Sequence, residues 1–505
     1  MPALDRLTSN PKGAPLALLI VVLIYLILTA LLSTRRLWHD ELFTFYIATA
    51  PSLSDLWQEI PLDLNPPLEY LAVRASTGLF GLGGYAVRLP SIFAFLFGSL
   101  CLYRFVRGRF NQWYGLLAML VFWGSPFFYY ATEARPYAIV IGFLGLTLLL
   151  WRRAAEQNRA AVWVWLLGVS VSAMMLSHLM APLYVIPFCL AELVEACRVR
   201  KVRLGIWAAL LLPCVIPFLY FHLMSRYEAI IFPPSFQASW RKIAESYYGS
   251  LKLEGGALIL AIGLALSTGA SGSQPSRCVK SEQRASEGAL AVGFLAMPAI
   301  VNLALMPTHG AYFDRYALPV EFGYALVIVF FLATHANLRS VAPLVASGIL
   351  VLFICTFNLG PGLKASVWAR RESPNATRTL DSVFPALPLV AASGLTFLEM
   401  DHYGDPQTVA RLFYLTDRSL AMRYANATIF EGMPDLIGSF PIRAHVLRYS
   451  DFLRKHTQFL VLGTPGYPED WLLRALLDSH AAIRYLGDFP GLYKDQQLYL
   501  VAIAY

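Results

Sequence analysis

Charge is scarce in this chain. Of 505 residues only 14% are Asp, Glu, Lys or Arg, against 57% that are hydrophobic, and the mean hydropathy is +0.54. Soluble globular domains rarely show such a balance. Cysteine is scarce as well: Cys101, Cys189, Cys197, Cys214, Cys278 and Cys355 are the six, and none lies in residues 361–505. Their spacing fits neither a disulfide framework nor a zinc site, which leaves them as packing residues. No tandem repeat is evident. The surplus of positive charge, +8 overall, is absent from residues 361–505, which carry fourteen residues of each sign. The basic balance therefore belongs to the hydrophobic portion and signals membrane topology, not nucleic-acid binding.

What the chain does have is apolar runs. Residues 15–33 form the first, and with no small-residue cleavage site evident the sequence predicts a retained helix, not a signal peptide. Further runs near 86–103, 113–131, 136–151, 161–176, 179–196, 204–222, 255–268, 288–306, 317–334 and 340–357 bring the total to about eleven spans. With a cytoplasmic amino terminus every second loop is basic: Arg104/Arg107/Arg109, Arg152/Arg153/Arg159, Arg198/Arg200/Lys201/Arg203, Arg277/Lys280/Arg284 and Arg339. The opposite loops hold Asp40, Glu41, Asp55, Glu59, Asp63, Glu69, Glu133, His178 and Asp314. That parity places the tail on the outer, periplasmic or extracellular, side of the plasma (inner) membrane.

The expected fold is an α-helical polytopic membrane protein with a small C-terminal α/β domain, residues 1–360 forming the membrane domain and 361–505 the outer one. In the tail, 388–392, 411–415, 458–462 and 497–501 read as strands, with helical stretches near 407 and over 468–480. The long outer loop 34–85 is expected to fold into interfacial helices, one capped by Ser52 and one opened by Asn65-Pro66-Pro67-Leu68. Ser267–Ser286, rich in Ser and Gly, reads as an inner loop.

Four outer elements carry candidate chemistry. Asp40 and Glu41, in Trp38-His39-Asp40-Glu41, are costly to place beside lipid, which marks the pair as a place where something polar is handled. A carboxylate at that level can take a proton from an acceptor hydroxyl; the plain alternative for Asp40 is a helix cap or an ion pair with Arg35 or Arg36. Glu41 can position Asp40 or bind a cation. The connection Tyr129-Tyr130-Ala131-Thr132-Glu133-Ala134-Arg135-Pro136-Tyr137 offers an acid, a guanidinium for phosphate and aromatic faces for a sugar, or, for the tyrosines, an interfacial belt. His178 begins one apolar run, and Arg315-Tyr316 begins another; a cation there suits the oxygens of a departing lipid phosphate, while a lone histidine is as often structural. A divalent cation, Mg or Mn, held by Asp40, Glu41 or Glu133 is a further reading.

Together, the Asp-Glu pair after the first span, Asn65-Pro66-Pro67-Leu68, Glu133-Ala134-Arg135-Pro136-Tyr137 and Arg315-Tyr316 before a proline resemble bacterial polyprenyl-phosphate-dependent GT-C glycosyltransferases. These multi-pass enzymes are related to protein O-mannosyltransferases and aminoarabinose transferases. The resemblance spans about residues 15–357. It implies a GT-C fold, Asp40 as base, Glu41 as its acidic partner, Glu133 as a second acid, and Arg135 and Arg315 as phosphate ligands. Asn65, Tyr137, His178 and Tyr316 complete the expected substrate-binding set. It further implies a polyprenyl-phosphate sugar donor and a glycan, lipid or protein acceptor. Many relatives have His-Pro-Pro where this chain has Asn65-Pro66-Pro67, so no histidine chemistry is expected there. A flippase for lipid-linked sugars and a non-catalytic scaffold are the rival classes. Asn375-Ala376-Thr377 and Asn426-Ala427-Thr428 match glycosylation sequons that are not expected to be used.

Overall fold

A computed structural model describes residues 13–156, 160–224, 230–249, 284–335, 343–357, 384–463, 471–489 and 496–503, with Gly256, Ile259 and Gly263 as isolated positions. The run expected over 255–268, Cys278, Asn375 and nearly all of the Ser267–Ser286 loop lie outside these. Two compact units divide the chain: the first comprises Met1–Ser33, Asn65–His222 and Ala238–Leu363, the second Thr34–Leu64, Leu223–Gln237 and Lys364–Tyr505. Residues 34–64 of the outer loop therefore pack within the same unit as the tail.

The first unit is helical. Its principal helices are α1 (Gly13–Leu32), α4 (Leu68–Phe80), α5 (Gly84–Arg107), α6 (Gln112–Trp123), α7 (Tyr137–Glu156), α8 (Ala160–Met175), α9 (Ile186–Val199), α10 (Arg284–Leu295) and α11 (Val320–His335), while α2 (His39–Ala48) and α3 (Leu53–Glu59) belong to the second unit. A count of about eleven spans is not confirmed. Among the described residues α1, α5 and α7 are long and apolar enough to cross a membrane, and two bent pairs bring the number to five. Backbone breaks at small residues and prolines divide the apolar runs: α6 turns 85° into Pro126–Thr132, and α10 turns 53° before a second helix that carries Pro298. Pro182 and Pro187 likewise split the run over 179–196 into Ala181–Tyr184 and α9.

Several polar groups within this core are hydrogen-bonded, which offsets the cost of burying them. Fully buried Arg88 donates from Nη1 to the Ser33 carbonyl at 2.8 Å, satisfying a group just past the end of α1. Tyr25 donates to the Ile92 carbonyl at 2.7 Å, and Trp123 Nε1 to Ser99 Oγ at 2.8 Å. Helices α5 and α7 approach backbone to backbone: a Cβ on Gly145 would sit 2.7 Å from the Gly98 carbonyl oxygen. Small residues permit this close packing. Gly145→Leu is expected to destabilise the bundle by about 1–3 kcal/mol, read as a lower midpoint of thermal unfolding in detergent. An unchanged midpoint would show that the two helices can part without loss.

The second unit contains a six-stranded sheet. Its strands are β1 (Leu389–Ala391), β2 (Leu412–Thr416), β3 (His445–Arg448), β4 (Gln458–Gly463), β5 (Ala482–Phe489) and β6 (Gln496–Ala502), in spatial order β3-β2-β1-β4-β6-β5. The first four are parallel, and β6 runs antiparallel to both β4 and β5. Crossovers carry helices, as parallel pairing demands: α12 (Gly394–Tyr403) and α13 (Pro406–Ala410) lead to β2, α14 (Arg418–Ala425) to β3 and α15 (Tyr449–Lys455) to β4, with α16 (Leu472–Asp478) before β5. Strand order reverses between β1 and β4, and α12 leaves the sheet at that switch point, capped by Ser393 Oγ.

The four expected strands are present. Outer-loop helix α3 has the expected cap, a reciprocal pair between Ser52 and Asp55, and α4 starts directly after Pro67. Residues 223–237 join the second unit through a two-way bond: Ile231 N–H donates to Thr428 Oγ1 and Thr428 N–H to the Ile231 carbonyl, both at 2.8 Å. The second sequon is thereby built into the fold, since Asn426 also ends α14 in the left-handed conformation.

Candidate active site

The sequence-predicted residues fall into two groups. Asn65, Glu133, Arg135, Tyr137, His178, Arg315 and Tyr316 lie in the first unit, and Asp40 and Glu41 in the second.

In the first unit three connections converge. Ser125 Oγ accepts the Phe127 N–H and starts the seven-residue 3-10 helix Pro126–Thr132, after which Glu133 is extended and Arg135 N–H closes back onto the Glu133 carbonyl at 2.8 Å. This tight reversal buries Glu133, Arg135 and Tyr137 together before α7 begins. The second connection is the turn after α8, where Met180 N–H donates to His178 Nδ1 at 3.1 Å, leaving the ring's proton on Nε2. The third is Asp314–Ala317. The ring of His178 lies 5.5 Å from Tyr137, 5.8 Å from Tyr316 and 6.1 Å from Tyr184, and Tyr184 donates to the Tyr316 carbonyl at 2.8 Å. Over this aromatic floor sits the Arg315 guanidinium, 4.4 Å from the Phe313 ring centre and 5.7 Å from that of Tyr137.

Electrostatics bind the cluster further. Burial pushes the His178 imidazole down to about 3, and the positive charges of Arg315 and Arg135 add to the shift. The ring is therefore neutral, a hydrogen-bond donor and an aromatic surface. Glu133 and Arg315 both lie within electrostatic reach of the Tyr130 hydroxyl, whose ring packs 4.6 Å from Tyr137. Asn65 is buried, and its loop is tied to the His178 turn by Leu68 N–H, which donates to the Leu176 carbonyl at 3.1 Å. Two guanidiniums, an acid, the His178 imidazole and five further aromatic rings so arranged can hold a phosphate and present ring faces to a sugar.

In the second unit Asp40 and Glu41 occupy the first turn of α2. Glu41 is fully buried, and its Oε2 accepts from Arg35 Nη1 at 3.0 Å and from Trp38 N–H at 3.3 Å, so this carboxylate holds the helix start. Asp40 is half-buried. Among the described residues no group of three or more His, Cys, Asp or Glu is placed to hold a metal ion. The sequence reading missed Tyr184, which floors the histidine, and Glu399, whose Oε1 accepts the His39 N–H at 3.2 Å. The available signal for Glu399 was an acid within the apolar stretch Leu395–Met400.

The sequence family described as dolichyl-phosphate-mannose-protein mannosyltransferase matches residues 64–221. No curated protein matches. Among solved structures, ArnT from Cupriavidus metallidurans bound to undecaprenyl phosphate is 14% identical, with 97% of this chain and 98% of that one covered and a TM-score of 0.57. The apo form of the same protein is 13% identical over the same shares, with a TM-score of 0.53. The matched region 64–221 contains Asn65, Glu133, Arg135, Tyr137 and His178, which is most of the aromatic and guanidinium cluster. Family match and fold thus agree with the resemblance read from the motifs: over nearly its whole length the chain shares the fold of the ArnT structures, and residues 64–221 match the mannosyltransferase family model.

Proposed function

We propose that this protein is a multi-pass membrane glycosyltransferase that moves a sugar from a polyprenyl-phosphate donor to an acceptor on the outer face of the membrane. The observation that carries the reading is the convergence of Arg135, Arg315, Tyr137, His178 and Tyr316 from three separate connections. A lipid phosphate and a sugar ring need these side chains, and a helical bundle alone does not.

The reaction is a single displacement. An acceptor hydroxyl loses its proton to Asp40 and attacks the anomeric carbon. The bond from that carbon to the phosphate oxygen breaks, and its electrons leave with the lipid phosphate. Arg135 and Arg315 take up the charge that develops on the phosphate, Glu133 orients the guanidiniums, and Asn65 and the His178 Nε2–H donate to sugar or phosphate oxygens. Phosphate is already a stable anion, so no strong general acid is needed. Inversion at the anomeric carbon follows. The amino terminus is assigned to the cytoplasm and residues 361–505 to the outer side, in keeping with the basic inner loops.

The deciding experiment incubates the purified protein with a panel of polyprenyl-phosphate sugars, including mannose and aminoarabinose forms, and follows sugar release and transfer. Turnover with one of them is expected. Translocation of the donors between leaflets without turnover would make the protein a flippase instead.

His178 supplies a separate check. With its imidazole held at about 3, kcat/KM over about pH 5–8 is expected to show no histidine inflection, and His178→Gln should slow transfer without changing the shape of the profile. An inflection that disappears in the variant would overturn the neutral assignment. The same burial makes the fold lose stability as pH falls below about 6.5, because an exposed imidazole in the unfolded chain gains a proton that the buried ring does not.

A further inference from the structure

Asp40 sits on a helix of only ten residues that follows a turn, and short helices of this kind draw their stability from what they pack against. In the second unit that support comes from α12, more than 350 positions away in sequence. The three backbone N–H groups that precede Asp40 each reach a side-chain acceptor: Leu37 donates to the Tyr403 hydroxyl at 2.7 Å, Trp38 to Glu41 Oε2 at 3.3 Å and His39 to Glu399 Oε1 at 3.2 Å. Two of the three acceptors belong to α12. Residues 399, 402 and 403 share one face of that helix, at spacings of three and four. From this face His402 Nδ1 also pairs with the Tyr46 hydroxyl at 2.7 Å, and the Tyr403 ring lies 4.7 Å beneath the Arg36 guanidinium. Aromatic rings close the remaining sides, with His39 against Phe430 and both Phe43 and Tyr46 against Phe440.

Within this contact Glu399 is the member that ordinary packing does not explain. A buried carboxyl is expensive, and an apolar residue would fill the volume at less cost. Its position is set by the backbone it meets: the acceptor at the His39 N–H fixes the Trp38–His39 peptide, one residue before Asp40, at the point where the chain enters the first turn of α2. We propose that Glu399 is a positioning residue for Asp40, anchoring the first turn of α2 from the α/β unit. This rests on the assignment of Asp40 as the base. Burial first, and then the charge of Glu41, push the Glu399 carboxyl up to about 8, against the opposing pull of the His39 N–H, Arg36 and Arg35. Protonation leaves a carbonyl oxygen to accept from His39. Because the folded value lies above that of an exposed glutamate, the contribution of Glu399 to stability is full below about 4.5 and is lost as pH rises through about 8.

The test uses the full-length protein in detergent, with Glu399→Leu and Glu399→Gln. Amide exchange over residues 37–42 reads the anchor directly, and transfer from undecaprenyl phosphomannose gives kcat and KM. Glu399→Leu is expected to speed exchange over 37–42 and to lower kcat by about tenfold or more, with KM for the donor little changed and with β1 and β4 keeping their protection. Glu399→Gln, whose amide oxygen still accepts from His39, should stay within about threefold of the parent. Unchanged exchange in the leucine variant, faster exchange with an unchanged kcat, or a glutamine variant as slow as the leucine one would each overturn the proposal. Asp40→Asn separates the two ideas. Full turnover in that variant removes the base assignment, and the exchange data still decide whether Glu399 anchors the turn.

Discussion

Asp40→Asn is expected to lower sugar transfer by about 10²–10⁴-fold while the protein folds and inserts as before. Asparagine keeps the size and shape of aspartate, but it is neutral, offers one acceptor oxygen and one NH2 donor, and cannot take a proton at neutral pH. The anchors that Glu41, Glu399 and Tyr403 supply to the first turn of α2 are left in place by the substitution. A single-turnover assay with undecaprenyl phosphomannose, alongside an unfolding midpoint within about a degree of the parent, is the measurement. An unchanged rate would show that the acceptor needs no base at this position and would return Asp40 to the cap or ion-pair reading. The adjacent Glu41 marks the contrast, since its buried carboxylate is committed to Arg35 and the Trp38 N–H.

The second large effect is expected at Arg315. Arg315→Ala should lower the rate by about 10²–10³-fold, because the cation is needed most when charge gathers on the departing phosphate. Arg315→Lys should recover only part of the loss. Lysine keeps the charge but lacks the flat guanidinium that packs on Phe313 and Tyr137 and the paired donors that match phosphate oxygens. Both variants should also bind the polyprenyl phosphate product of the proposed reaction more weakly, which inhibition by added product will report. Parent-like inhibition and rate in Arg315→Ala would assign the residue to packing on its aromatic neighbours.

How much of this was legible in the sequence follows from what each signal depends on. Ser52 with Asp55 and the proline opening α4 are local, and both were readable. Strands β1, β2, β4 and β6 are apolar runs at or near the middle of the sheet. Strands β3 and β5 are its edges: His445 and Arg448 at the ends of β3 are exposed, and β5 carries a bulge near Gly487. Edge strands need no unbroken apolar pattern, so they gave no signal. The count of about eleven spans is not confirmed by helix length among the described residues, because composition does not register the bends that divide a run. The motif residues Glu133, Arg135, Tyr137, His178 and Arg315 were readable as candidates, since each stands out chemically against an apolar background, and all five lie in the first unit. Pairings such as His39 with Glu399 join residues 360 apart and leave no periodic trace in a single sequence.

The composition of the second unit sets the timing of its maturation. It is assembled from Thr34–Leu64, Leu223–Gln237 and Lys364–Tyr505, and its sheet is closed by β6, which inserts between β4 and β5. Contacts this distant form late and slowly, because the intervening chain must first be ordered. During synthesis the segment that bears Asp40 emerges hundreds of residues before α12, the helix that secures it, and before residue 502, which completes the sheet. On the proposed function, competence is a property of the finished polypeptide: a nascent chain inserts its early helices long before the segment that bears Asp40 is secured.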